Sequence, residues 1–393
     1  MDILKTRYLE NYMLLDLNDE KMVFVGGPRQ VGKTTLAVEL LAKKLQPAGY
    51  LNWDNREDRR KISSSLWPGD AKLLILDELH KYKKWKNFIK GEYDKLKHVY
   101  KFILTGSARM DTFRRGGDSL QGRYHYYRLH PFSLAELNGF CASVIPFEEL
   151  SFENLPQAYG IDLLEKFGGF PEPLFKAEER FIRRWHNEKI ERMFREDIQE
   201  MAIVNDLASM KLLSDLLPSR VGSLLSTNAL REDLEVSFKA AKRWLDLLES
   251  FYYCFRIYPY STNALRVLKK EPKLYLWDWS EVADESARFE NLIASHLLKL
   301  THYLYDCEGY RAELQFLRDL DKREVDFLVT NDKKPWFAVE VKLQDCNPSK
   351  TLIRFKTKLE IPWCFQVVRR SGIDILANGI RIISADKFLT GLC

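Results

Sequence analysis

The sequence lacks the features of several protein classes. Its six cysteines form no C-x-x-C pair and no zinc spacing, which favours reduced thiols over a disulfide framework. The N-terminal residues MDILKTRYLENY contain no apolar signal core, and the chain has no run of about 18 apolar residues. It also has no internal repeat and no low-complexity segment. We therefore expect a cytoplasmic protein that does not contact a membrane.

Strong net charge is also missing. The chain carries +5 over 393 residues, so any attraction to a polyanion has to come from local basic patches. Apolar residues make up 46% and charged residues 30%, which is typical of ordinary globular proteins. Because a single core rarely grows past about 250 to 300 residues, this length predicts two or three domains.

The N-terminal part of the chain alternates apolar runs with amphipathic stretches. The runs MVFV, YLNW, LLIL and FILT lie at 22–25, 50–53, 73–76 and 102–105. The stretches between them predict helices at 33–46, 55–65 and 85–98. This pattern predicts a doubly wound α/β domain over residues 1–145, a parallel sheet with helices on both faces.

The remaining sequence predicts three further domains. Residues 146–205 are helical in pattern, with GGFPEP (168–173) as a breaker. Residues 206–280 suggest a winged helix, in which Phe238, Ala241, Leu245, Leu248 and Tyr252 recur at helical spacing. Residues 281–393 return to mixed α/β. There we expect helices at 286–302 and 348–359, and strands near 313–318, 323–329, 336–343 and 363–368.

A phosphate-binding loop follows the first strand. GPRQVGKTT fits G-x-x-x-x-G-K-[ST] between an apolar strand and an amphipathic helix. Its backbone N–H groups and the helix dipole predict an ATP site. The nine residues are Gly27, Pro28, Arg29, Gln30, Val31, Gly32, Lys33, Thr34 and Thr35. We expect Lys33 to neutralise the β- and γ-phosphates and Thr34 to bind Mg²⁺.

LLILDE supplies the second half of a hydrolysis site. Asp77 ends a buried strand, where it can hold the water shell of Mg²⁺. Glu78 follows directly and is expected to polarise the attacking water, although it can also be a solvated strand-end carboxylate. Thr105 and Ser107 end the FILTGS strand and either sense the γ-phosphate or cap a helix.

A positive charge is expected for the transition state. We favour Arg123, in LQGRY, as an arginine supplied in trans within a homo-oligomer. Arg109, Arg114 and Arg115 remain alternatives.

These motifs support a family resemblance. GPRQVGKTTL, LDELHKYKKW, LTGSARM, GRYHYYRLHPFSLAEL and GGFPEP together resemble a family of prokaryotic AAA-type ATPases that pair a P-loop module with a C-terminal domain of unknown function. The resemblance covers essentially the whole chain. It implies an ASCE-type sheet like that of AAA+ and STAND-type ATPases, a helical lid and winged helix, and a C-terminal restriction-endonuclease-like α/β domain.

The C-terminal strands carry a second acidic group. REVDFLV and WFAVEVKL place Asp326 one hairpin before Glu340-Val341-Lys342, the PD-(D/E)xK arrangement of nucleases. Asp326 and Glu340 are candidate Mg²⁺ ligands and Lys342 a candidate catalytic lysine. Glu290, in the preceding helix, is a candidate additional ligand. Val325 replaces the proline of the motif name, and a solvent-facing acidic hairpin is the alternative, so the nuclease fold is better supported than cleavage.

Two basic stretches are candidate DNA contacts. HKYKKWKNFIKGEYDKLKH (80–98) carries seven lysines against two acids, either as a solvated helix face or along a phosphate backbone. In the segment 237–250, Lys239, Lys242 and Arg243 lie opposite the apolar stripe, where a recognition helix contacts a groove. Winged helices also bind proteins.

Three functions compete. The first is a Mg-dependent ATPase that binds and acts on DNA, with hydrolysis moving a winged-helix and a nuclease-like domain. The second is a nucleotide-dependent switch that binds a partner protein and has an inert nuclease fold. The third is a structural adaptor, for which Glu78→Gln is silent.

Overall fold

The computed structural model describes residues 5–107, 120–198, 206–261 and 270–393, and within these ranges the chain forms two compact units. The first unit contains residues up to His130 with the short segments 197–198 and 250–252; the second contains the other described residues. The division into four domains stays a prediction. No helix in the described ranges is long and apolar enough to cross a membrane.

The first unit is built on a five-stranded parallel sheet. Its strands are β1 (Met22–Gly26), β2 (Ala48–Asn52), β3 (Leu73–Asp77), β4 (Lys101–Gly106) and β5 (Tyr124–Arg128). They are arranged in the order β2-β3-β4-β1-β5 with every pairing parallel. The predicted parallel α/β sheet is confirmed. Because the carboxyl ends of parallel strands meet at one edge, the ends of β1, β3 and β4 lie together.

Helices cover this sheet on both faces. They are Glu10–Asn18, Lys33–Thr35, Ala42–Lys44, Arg56–Ser63 and Trp85–Leu96, with a π-helical turn at Leu36–Leu41 and a 3₁₀ turn at Leu79–Lys81. Phe24 points to one face and packs with Trp85 and Ile89. Val23 and Val25 alternate to the other face and are fully buried, and the Glu10–Asn18 helix contacts β1.

The second unit contains an eight-stranded mixed sheet in the order β12-β13-β11-β10-β9-β8-β6-β7. The strands are β6 (Cys254–Pro259), β7 (Lys273–Leu276), β8 (Ala312–Arg318), β9 (Glu324–Asn331), β10 (Lys334–Lys342), β11 (Trp363–Val368), β12 (Asp374–Ala377) and β13 (Ile380–Ser384). Strands β8, β9 and β10 are antiparallel, whereas β11 is parallel to both β10 and β13. The expected C-terminal α/β pattern is therefore present; a restriction-endonuclease-like fold stays a prediction.

The helices of the second unit cover the predicted helical region and the C-terminal part. They are Leu134–Leu137, Ile161–Phe167, Pro171–Lys176, Glu179–Arg192, Leu207–Leu216, Thr227–Asp233, Phe238–Ser250, Glu285–Asp306, Lys350–Leu359 and Ala385–Thr390. Shorter turns are the π-helical Met193–Ile198 and the 3₁₀ segments Leu217–Arg220 and Trp279–Glu281. The first three residues of the GGFPEP breaker, 168–170, separate Ile161–Phe167 from Pro171–Lys176, and its last three residues begin the second of these helices.

The expected stripe on the Phe238–Ser250 helix needs two corrections. Ala241, Leu245 and Leu248 are buried, but Phe238 is 48% exposed, and Tyr252 is buried in the turn beyond the last helical residue. Trp244 is buried in that stripe instead. The two strands that follow are antiparallel to each other, but β6 also pairs in parallel with β8 and so joins the large sheet. The winged helix therefore stays a prediction.

Candidate functional site

The P-loop closes tightly over the end of the sheet. Gly27 follows β1 with φ of 154°, and a Cβ at this position would lie 2.5 Å from the carbonyl oxygen of Leu129. Only glycine allows this close approach. The helical run that begins at Lys33 directs its first N–H groups toward the loop, which is the arrangement that binds phosphate. Of the nine predicted residues, 27–32 therefore form the loop and Lys33–Thr35 begin the helix.

Lys33 lies inside this loop. Its side chain is buried, and Nζ donates to the carbonyl oxygens of Gly27 at 2.9 Å and Pro28 at 2.8 Å. The ammonium is therefore already held at the centre of the loop. A phosphate group bound there would meet a preorganised positive charge.

Arg7 supports the loop from outside, which the sequence reasoning missed. Its buried guanidinium donates to the carbonyl oxygen of Val31 at 3.1 Å and to that of His130 at 2.5 Å. These bonds join the P-loop to the segment that follows β5. No motif marks Arg7 in the sequence, because its partners are backbone carbonyls.

Asp77 is the centre of a hydroxyl cluster. Its Oδ2 accepts hydrogen bonds from Thr34 Oγ1 at 3.0 Å and from Tyr50 at 2.8 Å, and its Oδ1 accepts one from Thr105. Burial and the Asp77 carboxylate raise the pKa of Tyr50, so its hydroxyl remains a donor. A hydroxyl and a carboxylate oxygen within reach of each other fit the preference of Mg²⁺ for oxygen ligands. The predicted pair, Thr34 and Asp77, is brought together.

Glu78 lies next to this cluster in a left-handed backbone conformation with φ of 56°. Its Oε2 accepts a hydrogen bond from Ser107 Oγ at 3.3 Å and lies 3.5 Å from Nε2 of His80. Of the two predicted hydroxyls, Thr105 therefore contacts Asp77 and Ser107 contacts Glu78. Ser107, directly after β4, thus orients the side chain of Glu78.

His80 is the second residue that the sequence reasoning missed in this site. It is buried, and neither ring nitrogen has a hydrogen-bond partner among the described residues. Burial, with the charges of Lys81 and Lys33, lowers the pKa of His80 to about 3. The imidazole is therefore neutral beside Glu78. The sequence did not predict a buried His80, because a lysine-rich run indicates a solvent-exposed surface.

Arg123 lies elsewhere in its own chain. It precedes β5 at the amino end of the sheet, whereas the P-loop is at the carboxyl end. Its guanidinium makes two hydrogen bonds to the carboxylate of Asp94, at 2.7 Å and 3.1 Å. A role in trans stays a prediction. Arg109, Arg114 and Arg115 lie outside the described residues.

The C-terminal acidic residues form a second cluster. Asp326 on β9 accepts a hydrogen bond from the backbone N–H of Val341 at 2.9 Å, beside Glu340 on β10. Lys342 Nζ lies 2.8 Å from Oε1 of Glu340, and Oε2 of Glu340 is buried without a hydrogen-bond partner among the described residues. Burial and the charge of Asp326 raise the pKa of both Glu340 and Glu290 to about 7.

A lysine that was not predicted occupies this cluster. Lys273 on β7 is 3% exposed, and its Nζ lies 2.8 Å from Glu324, 3.3 Å from Glu290 and 3.5 Å from Asp326. Burial alone would lower the pKa of Lys273, but the three carboxylates outweigh burial and raise it. The predicted metal ligands therefore face a fixed ammonium, and the donor set does not fit a divalent ion while Lys273 stays in place.

Within the Lys-rich segment 80–98, the Trp85–Leu96 helix has one buried side and one exposed side. Trp85, Ile89 and Tyr93 are buried, and Phe88 and Leu96 pack at the border of the same core. The two acids have other partners: Glu92 accepts from Trp67 and Ser65, and Asp94 pairs with Arg123. Five lysines form no ion pair within the described ranges: Lys83, Lys84, Lys90, Lys95 and Lys97. The outer face is basic.

Family models match three consecutive parts of the chain. Residues 19–138 match the model described as AAA domain. Residues 164–283 and 285–386 match two domains of unknown function, DUF8612 and DUF4143. An AAA-type P-loop ATPase domain is thereby supported for the part that carries the Asp77 cluster.

Curated relatives are distant and uncharacterized. A Mycobacterium tuberculosis protein is 23% identical over 264 residues, which cover 67% of this chain and 55% of that protein. The chain thus spans about half the length of this relative. A Methanocaldococcus jannaschii protein is 21% identical over 377 residues, with 91% of this chain and 82% of that protein covered. A Haemophilus influenzae protein is 22% identical, with 81% and 82% covered.

Solved structures show low overall similarity. A variant of Thermotoga maritima RuvB aligns with a TM-score of 0.32 and 19% identity, covering 63% of this chain and 88% of that one. A Pyrococcus horikoshii STAND protein with a tetratricopeptide repeat sensor aligns with a TM-score of 0.28 and 15% identity, covering 76% and 45%. Similarity at this level does not indicate a shared activity.

Proposed function

We propose that the chain is a Mg-dependent ATPase whose hydrolysis site is formed by the P-loop, Asp77 and Glu78. The observation that carries this proposal is the hydrogen bond between Thr34 and Asp77 at 3.0 Å, with Glu78 held by Ser107 beside it. Thr34 and Asp77 would hold Mg²⁺, directly or through its water shell. Mg²⁺ would supply charge neutralisation of the β- and γ-phosphates.

The chain's own residues would perform the remaining steps. Lys33 binds the phosphates from within the loop, and the loop N–H groups orient them in line with the attacking water. Glu78 accepts a proton from that water as it attacks. A general base of this kind contributes about 10²- to 10⁴-fold to a rate.

Glu78→Gln tests this assignment. We expect ATP binding close to wild type and hydrolysis reduced by about 100-fold or more, because an amide cannot accept the proton. Glu57→Gln, the same chemical change at an exposed position of this unit, is the matched control and should leave the rate unchanged. Equal turnover in Glu78→Gln and wild type would reject the assignment.

The basic surface of the Lys-rich segment 80–98 favours DNA as the partner of this ATPase. Its two acids are occupied by other side chains, so its lysines keep their positive potential. Lys83→Glu with Lys84→Glu should weaken duplex binding and flatten its dependence on salt. The control is Lys333→Glu with Lys334→Glu, an exposed pair at the start of β10. Equal salt slopes for both double variants would favour the partner-protein switch instead.

The same proposal includes a homo-oligomer in which Arg123 acts on the neighbouring chain. A mixture of Arg123→Ala and Glu78→Gln chains tests it, since some mixed interfaces would combine an intact Glu78 with an intact Arg123. We expect hydrolysis in the mixture above the sum of the two inactive variants. Asp94→Asn breaks the same ion pair but keeps the guanidinium, so it should retain activity. No gain on mixing would remove Arg123 from the proposal.

A further inference from the structure

The C-terminal carboxylate cluster already contains a cation. Lys273 Nζ is within 3.5 Å of an oxygen on each of Glu290, Glu324 and Asp326. Asp326 and Glu290 are two of the groups that a metal would require. A divalent ion at the same place would lie within a few ångströms of the ammonium, and like charges at that distance repel strongly in a buried site.

Strand pairing on both sides fixes the backbone of Lys273 beside these carboxylates. Lys273 pairs with Ile257 of β6 on one side and forms a bridge with Leu224 on the other. The neighbouring carbonyl oxygens of Pro272 and Leu274 also accept hydrogen bonds, from the N–H groups of Leu225 and Gly222. The ammonium lies 5.8 Å from the ring centre of Phe316. Because Lys273 is buried, its ammonium cannot leave the carboxylates by rotating into solvent.

The charges of the cluster are nearly balanced without a metal. Its four carboxylates, Glu290, Glu324, Asp326 and Glu340, face three cations. Those cations are Lys273, Lys342 and Arg318, the last bound to Glu324 at 2.6 Å. A divalent ion added to this set would give an excess of positive charge.

The second unit also pairs lysines with carboxylates at places where the sequence has no nuclease motif. Lys189 is held between Asp278 at 2.9 Å and Glu281 at 2.5 Å. Lys299 forms a buried pair with Glu136. Among the described residues of this unit, lysines therefore neutralise carboxylates at three such places.

We infer that the ammonium of Lys273 is the resident cation of the Glu290, Glu324 and Asp326 carboxylates, and that the folded chain binds no divalent metal there. The cluster then ties β7 to β9 and the Glu285–Asp306 helix by charge. This inference is independent of ATP hydrolysis at Asp77. The chain would then carry the PD-(D/E)xK sequence pattern without metal-dependent nuclease activity.

Mn²⁺ titration of the nucleotide-free full chain, with bound ion counted by electron paramagnetic resonance, tests the inference. We expect wild type and Asp326→Asn to bind the same amount of Mn²⁺. A wild-type Mn²⁺ site that Asp326→Asn removes would overturn the inference. This comparison needs no change at Lys273, so it decides the point even where a Lys273 variant does not fold.

Lys273→Met tests the role of the ammonium itself. We expect this variant to gain one Mn²⁺ site, to lose it again when Asp326→Asn is added, and to show a higher thermal midpoint with Mn²⁺. Lys273→Arg keeps the charge and should gain no site. A folded Lys273→Met chain that takes up no Mn²⁺ would show that Lys273 does not fill a cation site.

Discussion

The hydroxyl of Tyr50 donates a hydrogen bond of 2.8 Å to Oδ2 of Asp77, from β2 to the end of the adjacent strand β3. The same oxygen accepts from Thr34, so Tyr50 helps to set the orientation of the carboxylate expected at the Mg²⁺ water shell. The phenol ring is exposed on this edge of the sheet. Tyr50 is therefore a positioning residue for the proposed hydrolysis.

Tyr50→Phe removes only this hydroxyl. We expect kcat to fall about 10-fold, equivalent to about 1.4 kcal/mol, because Asp77 loses one of three orienting donors. KM for ATP should hardly change, since Tyr50 acts on the site through Asp77. Steady-state ATPase assays across Mg²⁺ concentrations measure both values. Tyr100→Phe, whose hydroxyl contacts the carbonyl of Pro68, is the control. A rate within about twofold of wild type would contradict the role.

His80 presents a conflict between stability and activity. Its nitrogens are buried without a hydrogen-bond partner among the described residues, while Nε2 faces Glu78 at 3.5 Å. Burial of an unpaired polar group costs about 1–3 kcal/mol. Active sites often retain such a group at a cost in stability because catalysis requires it.

His80→Leu should therefore raise stability and lower ATPase activity. We expect the free energy of unfolding to rise by about 1 kcal/mol and ATP turnover to fall, because Glu78 loses its neighbour. Urea unfolding and an ATPase assay measure the two effects on one preparation. His98→Leu, at an exposed histidine, should change neither. A less stable His80→Leu chain with normal turnover would refute this account.

Strand prediction succeeded where apolar runs were continuous. The runs MVFV, LLIL and FILT became the three central strands, and their burial on both faces explains the signal. Strand β5 was missed because YHYYR carries a histidine and an arginine at a sheet edge. Strands β7 and β12 have only four residues each, too short for a periodic pattern.

Site prediction succeeded where residues follow a motif in sequence. Lys33, Thr34 and Asp77 were predicted from the loop and the strand that ends in LDE, and the structure brings them together. Tyr50 and Lys273 were missed because their contacts arise from strand pairing. Lys273 lies more than 50 residues before Asp326, and its neighbours in sequence give no sign of an acidic partner.

His296 makes the second unit sensitive to acid. Its Nε2 accepts a hydrogen bond from the N–H of Leu134 at 3.1 Å, and its Nδ1 lies 2.8 Å from the carbonyl oxygen of Leu292. Nδ1 therefore carries the proton of a neutral ring. Burial, with the charge of Lys299, lowers the pKa of His296 to about 4.

The sign of the pH effect follows from this lowered pKa. Between about pH 4 and 6.5 the unfolded chain takes up a proton on His296 that the folded chain does not. Stability should therefore fall as pH falls from 6.5 to about 4, by about 3 kcal/mol for this group. Urea unfolding at several pH values measures it, and His296→Gln should lack this part of the dependence. Parallel curves for variant and wild type would contradict the assignment.

The GGFPEP motif has a packing explanation that its sequence does not reveal. Gly169 accepts a hydrogen bond of 2.7 Å from the N–H of Phe132. A Cβ on Gly169 would lie 2.6 Å from the carbonyl oxygen of Phe132 and 2.7 Å from the Trp279 ring. The backbone therefore approaches both neighbours more closely than any side chain permits.

Gly169→Ala should destabilise the second unit by about 1–3 kcal/mol, because the methyl group forces the carbonyl of Phe132 and the Trp279 ring apart. Gly91→Ala is the control: it lies in the Trp85–Leu96 helix with open space around its Cβ position, and should stabilise the first unit by up to about 1 kcal/mol. Urea unfolding with hydrogen exchange of the Glu285–Asp306 helix separates the two units. A Gly169→Ala chain as stable as wild type would show that the motif is not required for this packing.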